Sequence, residues 1–201
     1  MYEVEIKVPA DLDAVRDRLR EAGAERVDAR RQRDVYYDAP HRDFAATDEA
    51  LRVRRETSLA AEGDEKRQGN RETDREPAET DAETAKITYK GPLLDDDSKT
   101  RAEHETAVDD GEAIAEIVAG LGFEPAATVE KRREFWSYDG FTVTLDAVTD
   151  VGEFVEIERA VGDAAAIETV RDEALDALDR LGLDGDDQVR TSYLELLLTE
   201  E

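Results

Sequence analysis

The sequence predicts an α+β fold of about eight mostly antiparallel strands with a few packing helices, and three observations predict it. Segments in which apolar and charged side chains alternate strictly recur along the 201 residues. Between them lie segments of helical periodicity that stop at a glycine. The order of these segments repeats at an offset of about one hundred residues, so two similar halves are joined in one body.

The first strand is Glu3-Val4-Glu5-Ile6-Lys7. Alternate side chains of a strand point to opposite faces, so Glu3, Glu5 and Lys7 share one face and Val4 and Ile6 the other. A helical pattern with Leu12, Val15 and Leu19 on one side follows and ends at Gly23. Strands are then expected at Gln32–Asp38 and Ala50–Arg54. From 58 to 84 the chain loses its apolar residues, so it cannot offset its ordering entropy and reads as a flexible acidic insertion within a single domain spanning 1–201. Ala85–Gly91 resumes the alternation. The second round runs through Glu103-x-Glu105, a helix with Ile114, Ile117, Val118 and Leu121, Gly122, and strands at Lys131–Asp139, Phe141–Asp146 and Gly152–Glu158. A helix from about Ala164 to Leu181 and a short one from Ser192 to Leu198 close the pattern.

Composition excludes several classes of function. With no cysteine there is neither a disulfide framework nor a thiolate, and His41 and His104 stand in no metal-ligand spacing. Any metal should therefore have oxygen ligands, which points to Mg²⁺, Mn²⁺ or Ca²⁺. The net charge of −26 argues against nucleic acid and anionic membrane as partners. An arginine excess over lysine, 21 to 6, and this acidity resemble the surfaces of proteins from salt-loving organisms. No signal peptide or bilayer-length apolar run is seen, so a soluble cytoplasmic protein is expected. The oligomeric state stays open, a homodimer included.

Applied to every strand, the two-residue period places like or mixed charge on one face: Glu3, Glu5 and Lys7; Arg52 and Arg54; Thr88 and Lys90; Arg101, Glu103 and Glu105; Lys131 and Arg133; Thr144 and Asp146; Glu156 and Glu158. An ordinary sheet would turn such faces to water. Yet half of these charges are basic in a chain where bases are the minority. A sheet curled with its apolar faces outward would line a lumen with both signs, and such a lumen needs a charged guest. Guanidinium and ammonium groups suit a chain of phosphoryl groups, while Glu-x-Glu pairs suit divalent cations bridging phosphate oxygens. No P-loop is present, and no histidine, serine or cysteine nucleophile lies on these faces. Attack by water or a substrate hydroxyl is expected.

These residues resemble the CYTH domain of the triphosphate tunnel metalloenzymes. The resemblance is carried by Glu3-x-Glu5-x-Lys7, Gln32-x-Asp34-x-Tyr36-Tyr37-Asp38, Thr47-Asp48-Glu49-Ala50-Leu51-Arg52-Val53-Arg54, Thr88-Tyr89-Lys90-Gly91-Pro92, Arg101-x-Glu103-x-Glu105, Lys131-x-Arg133, Leu145-Asp146-x-Val148 and Gly152-x-Phe154-x-Glu156-x-Glu158. It covers essentially the whole chain apart from the insertion. It implies a closed eight-stranded antiparallel β-tunnel flanked by helices, with Mg²⁺ or Mn²⁺ and a small-molecule triphosphate inside. By the resemblance, Glu3, Glu5, Asp146, Glu156 and Glu158 are metal ligands, and Glu103 and Glu105 further acidic lining. Lys7, Arg52, Arg54, Lys90, Arg101, Lys131 and Arg133 are phosphate contacts, with Glu5, Lys7, Glu156 and Glu158 at the reacting centre. The pattern is closest to the class IV adenylate cyclase branch, which converts ATP to cyclic AMP and pyrophosphate. Many proteins so labelled hydrolyse short phosphate chains, so tripolyphosphate, thiamine triphosphate or a nucleoside triphosphate is the alternative substrate, and a non-catalytic polyphosphate-binding module the second alternative.

Overall fold

A computed structural model of the protein describes residues 2–59, 83–93 and 101–199. The side chains of Glu3 and Arg101 lie outside the described set, as does most of the insertion expected at 58–84. Eight strands form: β1 (Tyr2–Pro9), β2 (Glu25–Asp38), β3 (Ala50–Ser58), β4 (Thr84–Leu93), β5 (Arg101–Val108), β6 (Glu124–Tyr138), β7 (Phe141–Val148) and β8 (Gly152–Val161). The described residues also hold helices α1 (Leu12–Glu21), α2 (Phe44–Thr47), α3 (Gly111–Gly120), α4 (Ile167–Arg180) and α5 (Tyr193–Thr199). The expected eight-stranded antiparallel sheet with flanking helices is present, in the order β1-β8-β7-β6-β2-β3-β4-β5. Among the described residues no ladder joins its two ends, β1 and β5, so hydrogen bonds do not close the sheet.

The chain divides into two compact units, residues 1–30 with 131–201, and residues 31–130. These units are not the two sequence repeats. The first strand and helix of each repeat have joined the remaining strands of the other: β1 pairs with β8, and β5 pairs with β4.

In the first unit the apolar faces of β1, β7 and β8 contribute Val4, Ile6, Val8, Val143, Leu145, Val155 and Ile157 to the core. Leu12, Val15 and Leu19 of α1, and Val170, Ala174, Ala177 and Leu178 of α4, pack on them. Each large aliphatic side chain buried here contributes about 1.5–3 kcal/mol. The Asp11 carboxylate caps α1 by accepting from the Asp13 and Ala14 N–H groups. At the far end of α4, Gly182 adopts φ +67°, and Arg18 donates to the carbonyls of Leu181 and Gly182 at 2.6 and 3.2 Å. A Cβ at Gly182 would meet that guanidinium. The helix expected to begin at Ala164 starts instead as a 3₁₀ turn, Ala164–Ala166, capped by Asp163, and becomes α-helical at Ile167.

The second unit has a smaller core: Tyr37, Val53 and Val118, with Val35, Leu51, Ile87, Ile114 and Phe123 against them. Its α3 repeats the design of α1, with Asp110 accepting from the Glu112 and Ala113 N–H groups and Gly122 at φ +91° ending the turn. Ile117 and Leu121 of the α3 pattern are exposed. Only one side of α3 meets the sheet, and among the described residues this unit has no counterpart of α4.

Candidate active site

In the first unit the strand registers gather the charged residues on the face opposite the core. Lys7 pairs with Glu156 and Glu5 with Glu158; Thr144 pairs with Glu156, and Arg133 with Asp146. Arg133 holds two carboxylates at once. Its Nε donates to Asp146 Oδ1 at 2.6 Å, and its Nη2 to Asp146 Oδ2 and, at 2.5 Å, to Glu156 Oε2. Lys131 Nζ lies 3.5 Å from Asp146 Oδ2, and the Thr144 hydroxyl donates to Glu156 at 3.4 Å. Asp146 is fully buried and Glu156, Lys7 and Lys131 are each 6% exposed. Burial alone would raise the Asp146 pKa, but the charges of Lys131 and Arg133 outweigh it and hold the carboxyl below its ordinary value. Arg133 is held firmly protonated, its burial outweighed by Asp146 and Glu156. Glu158 is half-buried and Glu5 exposed.

The C-terminal segment reaches the same cluster. Lys7 Nζ donates to the Thr191 carbonyl at 2.5 Å. The Tyr193 ring lies 4.3 Å from Lys7 Nζ and 4.9 Å from Lys131 Nζ, centroid to nitrogen, and packs on Phe154 at 5.2 Å. Burial, then the charges of Asp146 and Glu156, push the Tyr193 hydroxyl pKa far up, so it stays neutral. A capping box sets Tyr193 at the start of α5: the Ser192 N–H donates to Glu195 at 2.8 Å, and the Glu195 N–H to Ser192 Oγ at 3.2 Å. The short helix expected from Ser192 to Leu198 is present as α5, but nothing local in the sequence reveals that Thr191, just before it, is contacted by Lys7, 184 positions away.

The second unit builds a similar cluster with the signs exchanged. Here an acid, Asp34 of β2, holds two arginines of β3. Arg54 donates through Nε and Nη2 to the two Asp34 oxygens at 2.6 and 2.7 Å, and Arg52 Nη1 reaches Asp34 at 3.4 Å. Arg52 Nη2 also lies 3.4 Å from Thr88 Oγ1 and 3.7 Å from Glu105. Thr88 donates to Glu105 at 2.8 Å; Lys86 pairs with Glu105 and Lys90 with Glu103, both at 3.2 Å. Burial would raise the Glu105 pKa, but Thr88 and Lys86 outweigh it and lower it. Buried Gln32 donates to buried Glu56 at 2.5 Å, and Glu56 lies 3.9 Å from Arg54. Asp34, Gln32 and Glu56 were not among the expected site residues, although Gln32-x-Asp34 has the alternation that placed the others on one face. Glu49 of the Thr-Asp-Glu run is a buried support: it accepts from Tyr89 at 2.5 Å and Thr47 at 2.9 Å and pairs with Arg42 at 3.1 Å.

Lys7, Lys131, Arg133, Asp146 and Glu156 thus come together, with Glu5 and Glu158 beside them in register. Arg52, Arg54 and Glu105 come together separately, and Lys90 with Glu103. In kind, the carboxylates of the first cluster suit a hard divalent cation. Two of them already converge on one guanidinium nitrogen, although among the described residues no three acidic or histidine side chains converge as a metal group.

A family model described as the CYTH domain matches residues 1–193. A protein of Methanocaldococcus jannaschii named "Putative adenylate cyclase" is 34% identical over 197 residues, covering 98% of each chain. The solved structure of the PH1819 protein from Pyrococcus horikoshii is 34% identical, covers all of both chains and superposes with a TM-score of 0.78. An adenylyl cyclase homologue from Hippeastrum, whose description reports a dominant triphosphatase activity, shares the fold at a TM-score of 0.64 and 14% identity, over 99% of this chain and 95% of its own. The family model spans nearly the whole chain and a relative is 34% identical over almost all of it, so the chain belongs to the CYTH domain family. Among the described residues no helix is long and apolar enough to cross a membrane.

Proposed function

We propose that the protein is a divalent-metal-dependent enzyme that binds a triphosphate and breaks a phosphoanhydride bond, in the manner of the class IV adenylate cyclases. The observation that carries this reading is the first unit's cluster. Three cations and two carboxylates, Lys7, Lys131, Arg133, Asp146 and Glu156, are largely withdrawn from water on one sheet face. Burying ions is costly, and a fold that could use apolar residues there retains them for a ligand.

In this reading Glu5, Asp146, Glu156 and Glu158, with Glu3, hold Mg²⁺ or Mn²⁺, which supplies charge neutralisation to the phosphate oxygens. Lys7, Lys131, Arg133, Arg52, Arg54, Lys90 and Arg101 take phosphate oxygens, and Glu103 and Glu105 keep Lys90 and Lys86 in place. In cyclisation the ribose 3′-hydroxyl oxygen bonds to the α-phosphorus of ATP while the α–β bridging bond breaks, and pyrophosphate departs. In hydrolysis water attacks the terminal phosphorus instead, the bond from that phosphorus to the bridging oxygen breaks, and the diphosphate leaves as inorganic phosphate forms. The grip on the phosphates serves both reactions, and the activity described for the Hippeastrum relative keeps hydrolysis as the second reading.

The test is to incubate purified protein with ATP, tripolyphosphate and thiamine triphosphate, each with Mg²⁺ or Mn²⁺, and to identify the products. Cyclic AMP with pyrophosphate supports the cyclase. ADP, pyrophosphate or thiamine diphosphate, each with inorganic phosphate, supports the hydrolase. Binding with no turnover of any substrate overturns the enzyme reading.

A further inference from the structure

Beside the first unit's charged cluster lies a cavity of about 220 Å³. Val27, Asp28 and Arg30 of β2, Phe135 and Trp136 of β6, and Thr142 of β7 are among the residues lining it, all within that unit. Sites that enclose a whole small molecule run to about 300–1,000 Å³, so this one fits a single ring system. Strand register fixes its position. Phe135 stands on the face of β6 that carries Lys131 and Arg133, about 7 Å along the strand from Arg133. Thr142 pairs with Glu158, which pairs with Glu5. The cavity thus continues the cluster toward the β6–β7 turn, within reach of a group carried on the end of a phosphate chain.

Its side chains are those that a flat, uncharged ring needs. Phe135 is half-buried, and among the described residues it joins neither hydrophobic core. The guanidinium carbons of Arg30 and Arg133 lie 5.5 and 5.9 Å from the centre of its ring. Asp28 steadies Arg30, accepting from its Nε at 2.6 Å and from the Ala29 N–H at 2.8 Å. Val27 leaves an apolar side chain, 65% exposed, at the rim. Bases stack on aromatic rings and on guanidinium planes alike. Two guanidinium groups beside the ring repel a cation, which disfavours the thiazolium of thiamine and favours a neutral nucleobase.

We propose that this cavity is a base subsite, in which Phe135 and Arg30 hold the nucleobase of a nucleoside triphosphate whose phosphates lie on the neighbouring cluster. The cavity then selects a nucleotide over inorganic tripolyphosphate and over thiamine triphosphate. The assignment rests on the triphosphate-binding reading above and names the class of substrate within it.

Trp136 is the single tryptophan of the chain, so its fluorescence reports on the cavity it lines. The experiment titrates wild type, Phe135→Ala, Phe135→Leu and Phe135→Tyr with ATP, thiamine triphosphate and tripolyphosphate in EDTA, by fluorescence and calorimetry. ATP should change the Trp136 emission of the wild type more than tripolyphosphate does. Phe135→Ala should weaken ATP binding about tenfold or more and tripolyphosphate binding by less than threefold, because only the stack on the ring is lost. Phe135→Leu keeps an apolar side chain, and with it the fold, and should show the same ordering of losses. Phe135→Tyr keeps the ring and should bind both ligands within threefold of wild type. Equal losses for ATP and tripolyphosphate in folded Phe135→Ala or Phe135→Leu overturn the base subsite, as does ATP affinity unchanged in both. A loss for thiamine triphosphate that exceeds the loss for ATP overturns the nucleobase as occupant. A wild type that binds none of the three, in EDTA or with Mg²⁺, overturns the triphosphate reading itself, an outcome seen before any variant is compared.

Discussion

Glu5 and Asp146 carry the same charge on the same sheet face, yet their surroundings set opposite consequences for removing them. Glu5 is exposed on β1, so Glu5→Ala should cost less stability than a change at the buried Asp146 while abolishing metal-dependent turnover. Asp146 is fully buried between Arg133 and Lys131, and Asp146→Asn leaves those cations undercompensated, which should cost about 3–5 kcal/mol. Urea unfolding beside a turnover assay separates the two effects, and full activity in Glu5→Ala would remove it from the proposed metal ligands. Away from the site, Glu49 gives the protein an acid-sensitive support. Its pKa is lowered, chiefly by the hydrogen bond from Tyr89 and also by Thr47 and Arg42, against the opposing effect of burial. A depressed carboxyl contributes stability that is complete above its unfolded value of about 4.3 and is lost as pH falls through the folded value. The stability gap between wild type and Glu49→Gln should therefore be widest near pH 6 and shrink toward pH 3 in unfolding titrations.

Among the elements, α1 and α3 show why much of this fold could be read locally. Each is ten residues long, begins at an aspartate cap and ends at a glycine with positive φ, 99 positions apart in the chain. Caps and glycines are local devices, so both helices were legible, as was the alternation of every strand. The end of α4 depends on distance in sequence instead. Gly182→Ala should destabilise through its positive φ, by about 1 kcal/mol, and further by displacing Arg18 from the helix-end carbonyls. A melting temperature equal to wild type would show that Arg18 moves aside freely. What local pattern could not show was pairing. The period of two placed Arg52 beside Arg54 and Arg133 beside Lys131 on their faces, but it said nothing of Asp34 or Asp146 lying between them. Nor could helical periodicity distinguish Leu19, buried between sheet and neighbours, from Leu121, left exposed on a helix covered on one side.

For the whole molecule the net charge of −26 is an energy distributed over the surface rather than a feature of any site. Raising the ionic strength from 0.1 M toward 1 M shortens the screening length from about 10 to 3 Å, so like-charge repulsion weakens and the melting temperature should rise. A fall with added potassium chloride would mean that attractive pairs such as Arg16 with Glu134 outweigh the repulsion. The exchange of first strands between the repeats bears on how the chain is made. β1 is finished after nine residues, but its partner β8 begins only at Gly152. At a ribosome adding roughly 5–20 residues per second, β1 waits on the order of ten seconds or more with its edge unpaired. A bare strand of that kind invites association with other nascent chains. The alternating Glu3, Glu5 and Lys7 put charge at every second position of the waiting strand, so the residues proposed to hold metal and phosphate are also the charges an unpaired edge of β1 would present until β8 emerges.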